Sequence, residues 1–236
     1  MYDNIAARLE QIEERIEAAC RRSGRARREI KLMAVTKFHP AEAVEAAWQA
    51  GIRLFGESRL QEASGKFPGF WKTRARDGSH ELHLVGSLQR NKAKPAAALF
   101  DCIQSVDRDS LIDTLGDLTQ GRESPLMILL EYHTGEDTKA GFTSRDSLYR
   151  AAEKALALPG LKPAGLMTIA PFTGDTAVVR SAFRELAAAR DELARRFPSA
   201  NWSCLSMGMT NDFEIAIEEG STMIRIGTAL FGERTP

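Results

Sequence analysis

The sequence predicts an α/β fold: a single (β/α)8 barrel of the TIM type with one additional helix at the N-terminus. Three observations carry this. Eight short apolar runs alternate with helical segments between residues 31 and 226. The 236 residues suffice for one large core. No linker or low-complexity tract divides the chain, so residues 1–236 read as one domain. A doubly wound open sheet shows the same alternation and stays the alternative.

Taken in order, residues 3–22 form an amphipathic helix, with Ile5, Leu9, Ile12, Ile16 and Cys20 on one stripe. Asp3 suits its N-cap and Gly24 its stop. The strands are read at 31–37, 52–55, 82–85, 101–105, 126–131, 162–168, 202–205 and 222–226, as short runs rich in Val, Ile, Leu and Met. Helices fall between them at 41–50, 58–66, 91–99, 108–118, 144–157, 175–196 and 211–219. Gly51 and Gly220 follow helical residues and suit C-caps. In 175–196, Val179, Phe183, Leu186 and Leu193 recur near helical spacing. Residues 67–80 read as a surface connection. After the eighth strand, Thr228 to Pro236 are too few for a full helix, so the N-terminal helix is expected to cover that side.

Composition removes several function classes. Lysine and arginine total 32, aspartate and glutamate 32, so no net field recruits nucleic acid or an anionic membrane. No apolar stretch is long enough to cross a bilayer, and Met1-Tyr2-Asp3-Asn4-Ile5 does not start a secretory signal. Cys20, Cys102 and Cys204 are odd in number and form no CxxC pair. That suits reduced thiols in the cytoplasm.

The chemistry begins at Lys37. It closes the run Lys31 to Lys37, and strand alternation puts it on one face with Met33 and Val35. An inward lysine at a strand end loses part of its hydration, which lowers its pKa. A neutral amine there attacks aldehydes to form a Schiff base. The other reading is a lysine whose stem packs while its charge reaches water. Barrel sites lie at the C-terminal strand ends, with phosphate often held after strands seven and eight. Here Ser206-Met207-Gly208-Met209-Thr210-Asn211-Asp212 follows strand seven, and Gly227 and Thr228 follow strand eight. Their amides and hydroxyls suit an anion, although such residues also serve plain turns. Arg225 shares a face with Met223 and so points inward. It would meet either a ligand or a strand-end carboxylate such as Glu57. His80 and His83 form HxxH but straddle a strand start, without cysteines nearby to complete a metal site. Arg21, Arg22, Arg25, Arg27 and Arg28 follow a helix C-terminus, where cations offset the macrodipole; a solvated face and a nucleic-acid patch both fit them. There is no Gly-x-Ser-x-Gly, Walker loop or GxGxxG after the first strand.

These motifs, in this order, resemble the pyridoxal 5′-phosphate homeostasis protein family, also called the alanine-racemase-like N-terminal domain family. The resemblance runs through Ala34-Val35-Thr36-Lys37, Leu54-Phe55-Gly56-Glu57 and Leu82-His83-Leu84-Val85-Gly86-Ser87-Leu88-Gln89-Arg90-Asn91-Lys92. It continues through Lys139-Ala140-Gly141, Gly165-Leu166-Met167-Thr168-Ile169, Leu205-Ser206-Met207-Gly208-Met209 and Met223 to Gly232. It implies a fold-type III barrel that binds pyridoxal 5′-phosphate as an aldimine on Lys37. Ser206, Gly227 and Thr228 would hold the phosphate and Arg225 would lie near the pyridine nitrogen. Met209, Ser58 and His83 are further expected cofactor contacts. Ser58 stands where the family usually has asparagine after Phe-Gly-Glu, and Thr210 where it has serine.

The resemblance implies a carrier of the cofactor that acts in vitamin B6 and amino-acid and keto-acid homeostasis. No robust turnover, no catalytic residues and no metal are expected. Apo pyridoxal-phosphate enzymes are the expected recipients, with no nucleic acid or membrane partner, and the chain is expected to be a monomer. The rival is a fold-type III amino-acid racemase. Such racemases resemble this barrel but add a β-rich domain, and a partner subunit supplies a tyrosine as the second acid–base group. Of Tyr2, Tyr132 and Tyr149, Tyr132 after strand five is the one placed to substitute.

Overall fold

Alternate residues of a strand face opposite sides of its sheet, and in this chain both sides are apolar, as a sheet covered on both faces requires. The computed structural model describes residues 2, 4–72, 79–135 and 140–232. Eight parallel strands close in chain order: β1 (Lys31–Val35), β2 (Leu54–Glu57), β3 (Glu81–Leu84), β4 (Cys102–Val106), β5 (Leu126–Glu131), β6 (Leu161–Met167), β7 (Cys204–Ser206) and β8 (Met223–Ile226). The last strand pairs with the first, Lys31 opposite Met223 and Met33 opposite Arg225, which rules out the open sheet.

Parallel neighbours need crossovers, and helices supply them: α2 (Ala41–Gln49), α3 (Leu60–Trp71), α4 (Ala93–Leu99), α5 (Asp109–Thr119), α6 (Arg145–Leu156), α7 (Thr176–Arg196) and α8 (Phe213–Glu218). Two helices flank this set, α1 (Ile5–Ser23) and the single turn α9 (Thr228–Phe231). Helix α1 packs against α8 and α9, on the side expected from the sequence. Arg15 pairs with Glu214 at 2.9 Å and Arg22 with Glu218 at 2.7 Å across that contact. Gly24 ends α1 in the left-handed conformation, with its amide on Arg21.

The sheet separates two cores. Ala34, Phe55, Ile128, Leu166 and Ile224 face the helices. Met33, Val35, Leu54 and Met223 fill one part of the barrel interior; Cys102, Leu129, Ala164 and Met167 fill another, and Cys204 touches both.

Several boundaries differ from the sequence reading. β1 stops at Val35, so Lys37 lies in a turn beyond the strand. β2 is 54–57 rather than 52–55, because Gly56 and Glu57 are buried within the sheet. A Cβ on Gly56 would lie 2.5 Å from the Met33 sulfur, so a glycine inside the strand serves close packing rather than a turn. β7 begins at Cys204, and Trp202 packs near Phe197 outside it. α3 continues through Pro68 to Trp71, not stopping at 66. Pro68 removes one helical hydrogen bond, but Phe67, Phe70 and Trp71 are buried around Phe55, with ring centroids 5.8–6.4 Å away. Burying three aromatic rings outweighs that loss. Asp3, read as an N-cap, and Lys139 lie outside the described residues, as do 73–78 of the expected surface connection. No helix among the described residues is long and apolar enough to cross a membrane.

Candidate functional site

The turn that carries Lys37 is held from below. The Thr36 amide continues the ladder to the Gly56 carbonyl at 3.0 Å. The Thr36 hydroxyl donates to Glu57 Oε1 at 2.6 Å. Lys66 Nζ donates both to Glu57 Oε1 and to the Thr36 carbonyl, each at 2.7 Å. Glu62 accepts the Phe38 amide at 2.8 Å. Phe38 has φ 65°, a left-handed conformation uncommon for a non-glycine residue, and these bonds over-determine it. Glu57 is fully buried, and burial raises its pKa against the opposing bonds from Lys66 and Thr36. Its carboxylate faces α3 and is therefore not the partner of Arg225 that strand-end position suggested. Lys37 is half-buried and lies two residues past Val35, which with Met33 belongs to the interior core.

Arg225 is buried and bonded to the barrel itself. It donates to the Ser206 carbonyl at 2.7 Å, the Ser206 hydroxyl at 2.9 Å and the Thr168 carbonyl at 2.8 Å. Burial lowers its pKa to about 10, against the attraction of Asp212 and Glu131, so it stays cationic at neutral pH. The Ser206 hydroxyl in turn donates to Gln104 Oε1 at 2.6 Å, and Gln104 Nε2 lies 2.8 Å from His83 Nδ1. His83 Nε2 is 2.7 Å from Glu81, whose pKa is held at about 2, chiefly by that bond. A polar chain, buried from His83 onward, thus runs through the interior from Glu81 through His83, Gln104 and Ser206 to Arg225. Ser206 stands behind Arg225 as its support, with its hydroxyl already bonded on two sides. His83 lies in mid-barrel with both ring nitrogens on protein partners and reaches the Ser206 end only through Gln104.

At the lip, Gly227 ends the ladder beside β1; a Cβ there would lie 3.4 Å from the Val35 carbonyl. Gly227 caps the turn α9, whose first residue is Thr228, and no described acceptor receives either amide. The Thr210 hydroxyl accepts the Ala229 amide at 3.3 Å and ties the two anion-type loops together. Gly208 has φ 96°, and a Cβ would lie 2.6 Å from that of Ala216, so only glycine fits the first loop there. Met209 and Ser58 are half-buried. The Ser58 carbonyl would be 2.2 Å from a Cβ on Gly86, so the loops after β2 and β3 pack backbone on backbone.

Sequence reasoning overlooked Glu131. It ends β5 on the inner face, alternating with Met127 and Leu129, and is 7% exposed. Burial raises its pKa to about 7; Asp107 adds to this and Arg225 opposes it. The alternation within 126–131 was the available signal. Tyr132, one residue on, faces away from the interior, with its hydroxyl on Glu185 of α7 at 3.0 Å and Arg145 of α6 above its ring.

The remaining candidates have structural partners. His80 stacks on Trp71 at 4.1 Å between centroids, on the opposite side of the sheet from His83. No cluster of three metal-ligating side chains occurs among the described residues. Arg21 pairs with Glu17, and Arg22 with Glu218. Arg25 binds Glu29 and the carbonyls of Ile217 and Ser221, while Arg27 binds Glu13 and the Ile30 carbonyl. Most of the arginine cluster thus bonds to neighbouring protein groups.

The family profile described as alanine racemase, N-terminal domain, matches residues 7–235. A pyridoxal phosphate homeostasis protein of Aquifex aeolicus is 38% identical over 98% of this chain and 99% of its own. One of the same name from Vibrio cholerae is 38% identical over 98% and 97%. Among solved structures, PipY of Synechococcus elongatus PCC7942 with PLP bound aligns with a TM-score of 0.83 at 33% identity, covering 97% of this chain and 100% of that one.

Proposed function

The chain belongs to the alanine racemase N-terminal domain family, and we propose that it binds pyridoxal 5′-phosphate and buffers or delivers it, acting in vitamin B6 and amino-acid and keto-acid homeostasis. The observation that carries this is the meeting of adjacent strand ends: β1 presents the braced Lys37 turn beside β8, which presents the unengaged amides of Gly227 and Thr228. Lys37 would hold the cofactor covalently. Gly227 and Thr228 would hold the phosphate, with Ser206 acting by fixing Arg225. Met209 and Ser58 would border the site.

When bound, the cofactor supplies an aldehyde that condenses reversibly with amines. Arg225 has only donors, so it would donate to a pyridine nitrogen placed beside it and would leave that nitrogen unprotonated. Racemisation needs a second acid–base group across the substrate. Tyr132, already bonded to Glu185, does not provide it, so the carrier reading is favoured over the racemase. Apo pyridoxal-phosphate enzymes are the recipients in this reading. The protein works as a cytoplasmic monomer, in keeping with its free thiols Cys20, Cys102 and Cys204.

The test is titration with pyridoxal phosphate followed by borohydride reduction and peptide mapping. The pyridoxyl mass should fall on Lys37 and vanish in Lys37→Ala. Pyridoxal without phosphate should bind at least about tenfold more weakly, since charge-assisted bonds contribute about 1–3 kcal/mol each. A label confined to Lys92 or Lys139, or equal affinity for the two forms, overturns the site.

A further inference from the structure

The barrel has a second opening, at the N-terminal ends of its strands and away from the Lys37 turn. A cavity of about 480 Å³ lies there, bordered by residues that begin β1, β6, β7 and β8. Its wall is largely apolar, with Met127, Leu129, Ala164 and Met223 beside the thiols of Cys102 and Cys204. Burial raises both thiols, Cys204 to about 11, so they stay neutral and act as wall.

The rim is charged, and mostly of one sign. Arg25, Arg28, Lys31 and Lys162 stand on it against Glu29. Arg25 is engaged with Glu29 at 3.1 Å, and Lys31 with Glu81 at 3.3 Å. Arg28 and Lys162 are exposed and make no hydrogen bond among the described residues; Arg28 lies within the field of Glu29, whose carboxylate is bonded to Arg25. An apolar wall, a few polar groups at the mouth and a volume in the range of small-molecule sites together describe a binding pocket. Two exposed cations without a hydrogen-bonded partner over such a wall select an anion with an apolar body, since a neutral molecule leaves the field unanswered and a bare inorganic anion leaves the wall empty.

We propose that the N-terminal mouth of the barrel binds a small organic carboxylate, its apolar body against Met127, Leu129 and Met223 and its carboxylate at Arg28 and Lys162. The proposal does not rest on the cofactor reading, because of the residues expected to meet the cofactor only His83 lines this cavity, and both its ring nitrogens already have protein partners.

Octanoate is the probe, with 1-octanol and inorganic phosphate as controls, followed by NMR of the protein carrying 13C-methyl methionine. The Met127 and Met223 signals should move saturably with octanoate, and Met209, at the other end, should stay. Each control should bind at least about tenfold more weakly. Arg28→Gln with Lys162→Gln removes two exposed charges without disturbing the core. It should weaken octanoate about tenfold or more and leave 1-octanol unchanged. No saturable movement of Met127 and Met223 up to about 10 mM octanoate, well above the affinity of a functional small-molecule site, overturns the proposal. So does unchanged octanoate affinity in the double variant.

Discussion

The Thr36 hydroxyl and the fully buried Glu57 carboxylate are 2.6 Å apart, one residue before the lysine on which the proposed function rests. The bond joins the end of β1 to the end of β2, and Lys66 of α3 completes it from the helix layer. The Lys37 turn is therefore fixed by groups on the far side of the sheet. A lysine that must meet an aldehyde at a set angle gains from such fixing, because positioning side chains in advance lowers the entropic cost of reaction.

Lys66→Met should reveal how much this brace contributes. It leaves Glu57 buried without its cation and with Oε2 already unpartnered. Breaking a buried pair from one side costs about 3–5 kcal/mol, so urea unfolding should show a loss of that order. The variant should also capture pyridoxal phosphate more slowly, read by absorbance. A stability change below about 1 kcal/mol would mean that water screens the pair.

Glu131 should make the stability of the cofactor-free protein depend on pH. Its folded pKa, about 7, lies above the ordinary value of 4.5. The folded state thus binds the proton more tightly than the unfolded chain. The resulting stabilisation is fully present below about pH 4.5 and disappears as pH rises through 7. Such a shift corresponds to about 3 kcal/mol. Glu131→Gln should flatten the decline between pH 4.5 and 7 in denaturant titrations; an unchanged slope would assign the decline to other groups.

Solvent deuterium exchange at the α-carbon of alanine separates the carrier from the racemase. With cofactor-loaded protein, negligible exchange over hours is expected, because Arg225 only donates and Tyr132 is bonded to Glu185 outside the interior. Exchange in the ordinary enzymatic range, about 1–1000 per second, would sink the carrier reading. Glu131, on the inner face, would then be the first residue to replace rather than Tyr132.

The parts legible from sequence were local ones. Strand and helix alternation gave the barrel, and the two-residue period placed Met33, Met223 and Arg225 on the inner face. Gly24 marked the end of α1 because a left-handed C-cap favours glycine wherever it occurs. Less legible were elements whose polarity depends on distant partners. Glu57 reads as a strand-end carboxylate for Arg225 until Lys66 and Thr36 are beside it, and the helix of α3 reads as ending at 66 until its aromatic face meets Phe55.

The sequence by itself therefore determined the (β/α)8 order and the family, because periodicity and ordered motifs are properties of the chain. Only the tertiary structure decided which polar groups meet inside the barrel. It put Ser206 behind Arg225, His83 in mid-barrel and Tyr132 on the helix side, and it brought Glu131 to the interior. The physical reason is that a buried polar group must find its hydrogen-bond partner wherever the fold brings one near. Here Gln104 bonds to Ser206, 102 residues away in the chain, a pairing that no local pattern encodes.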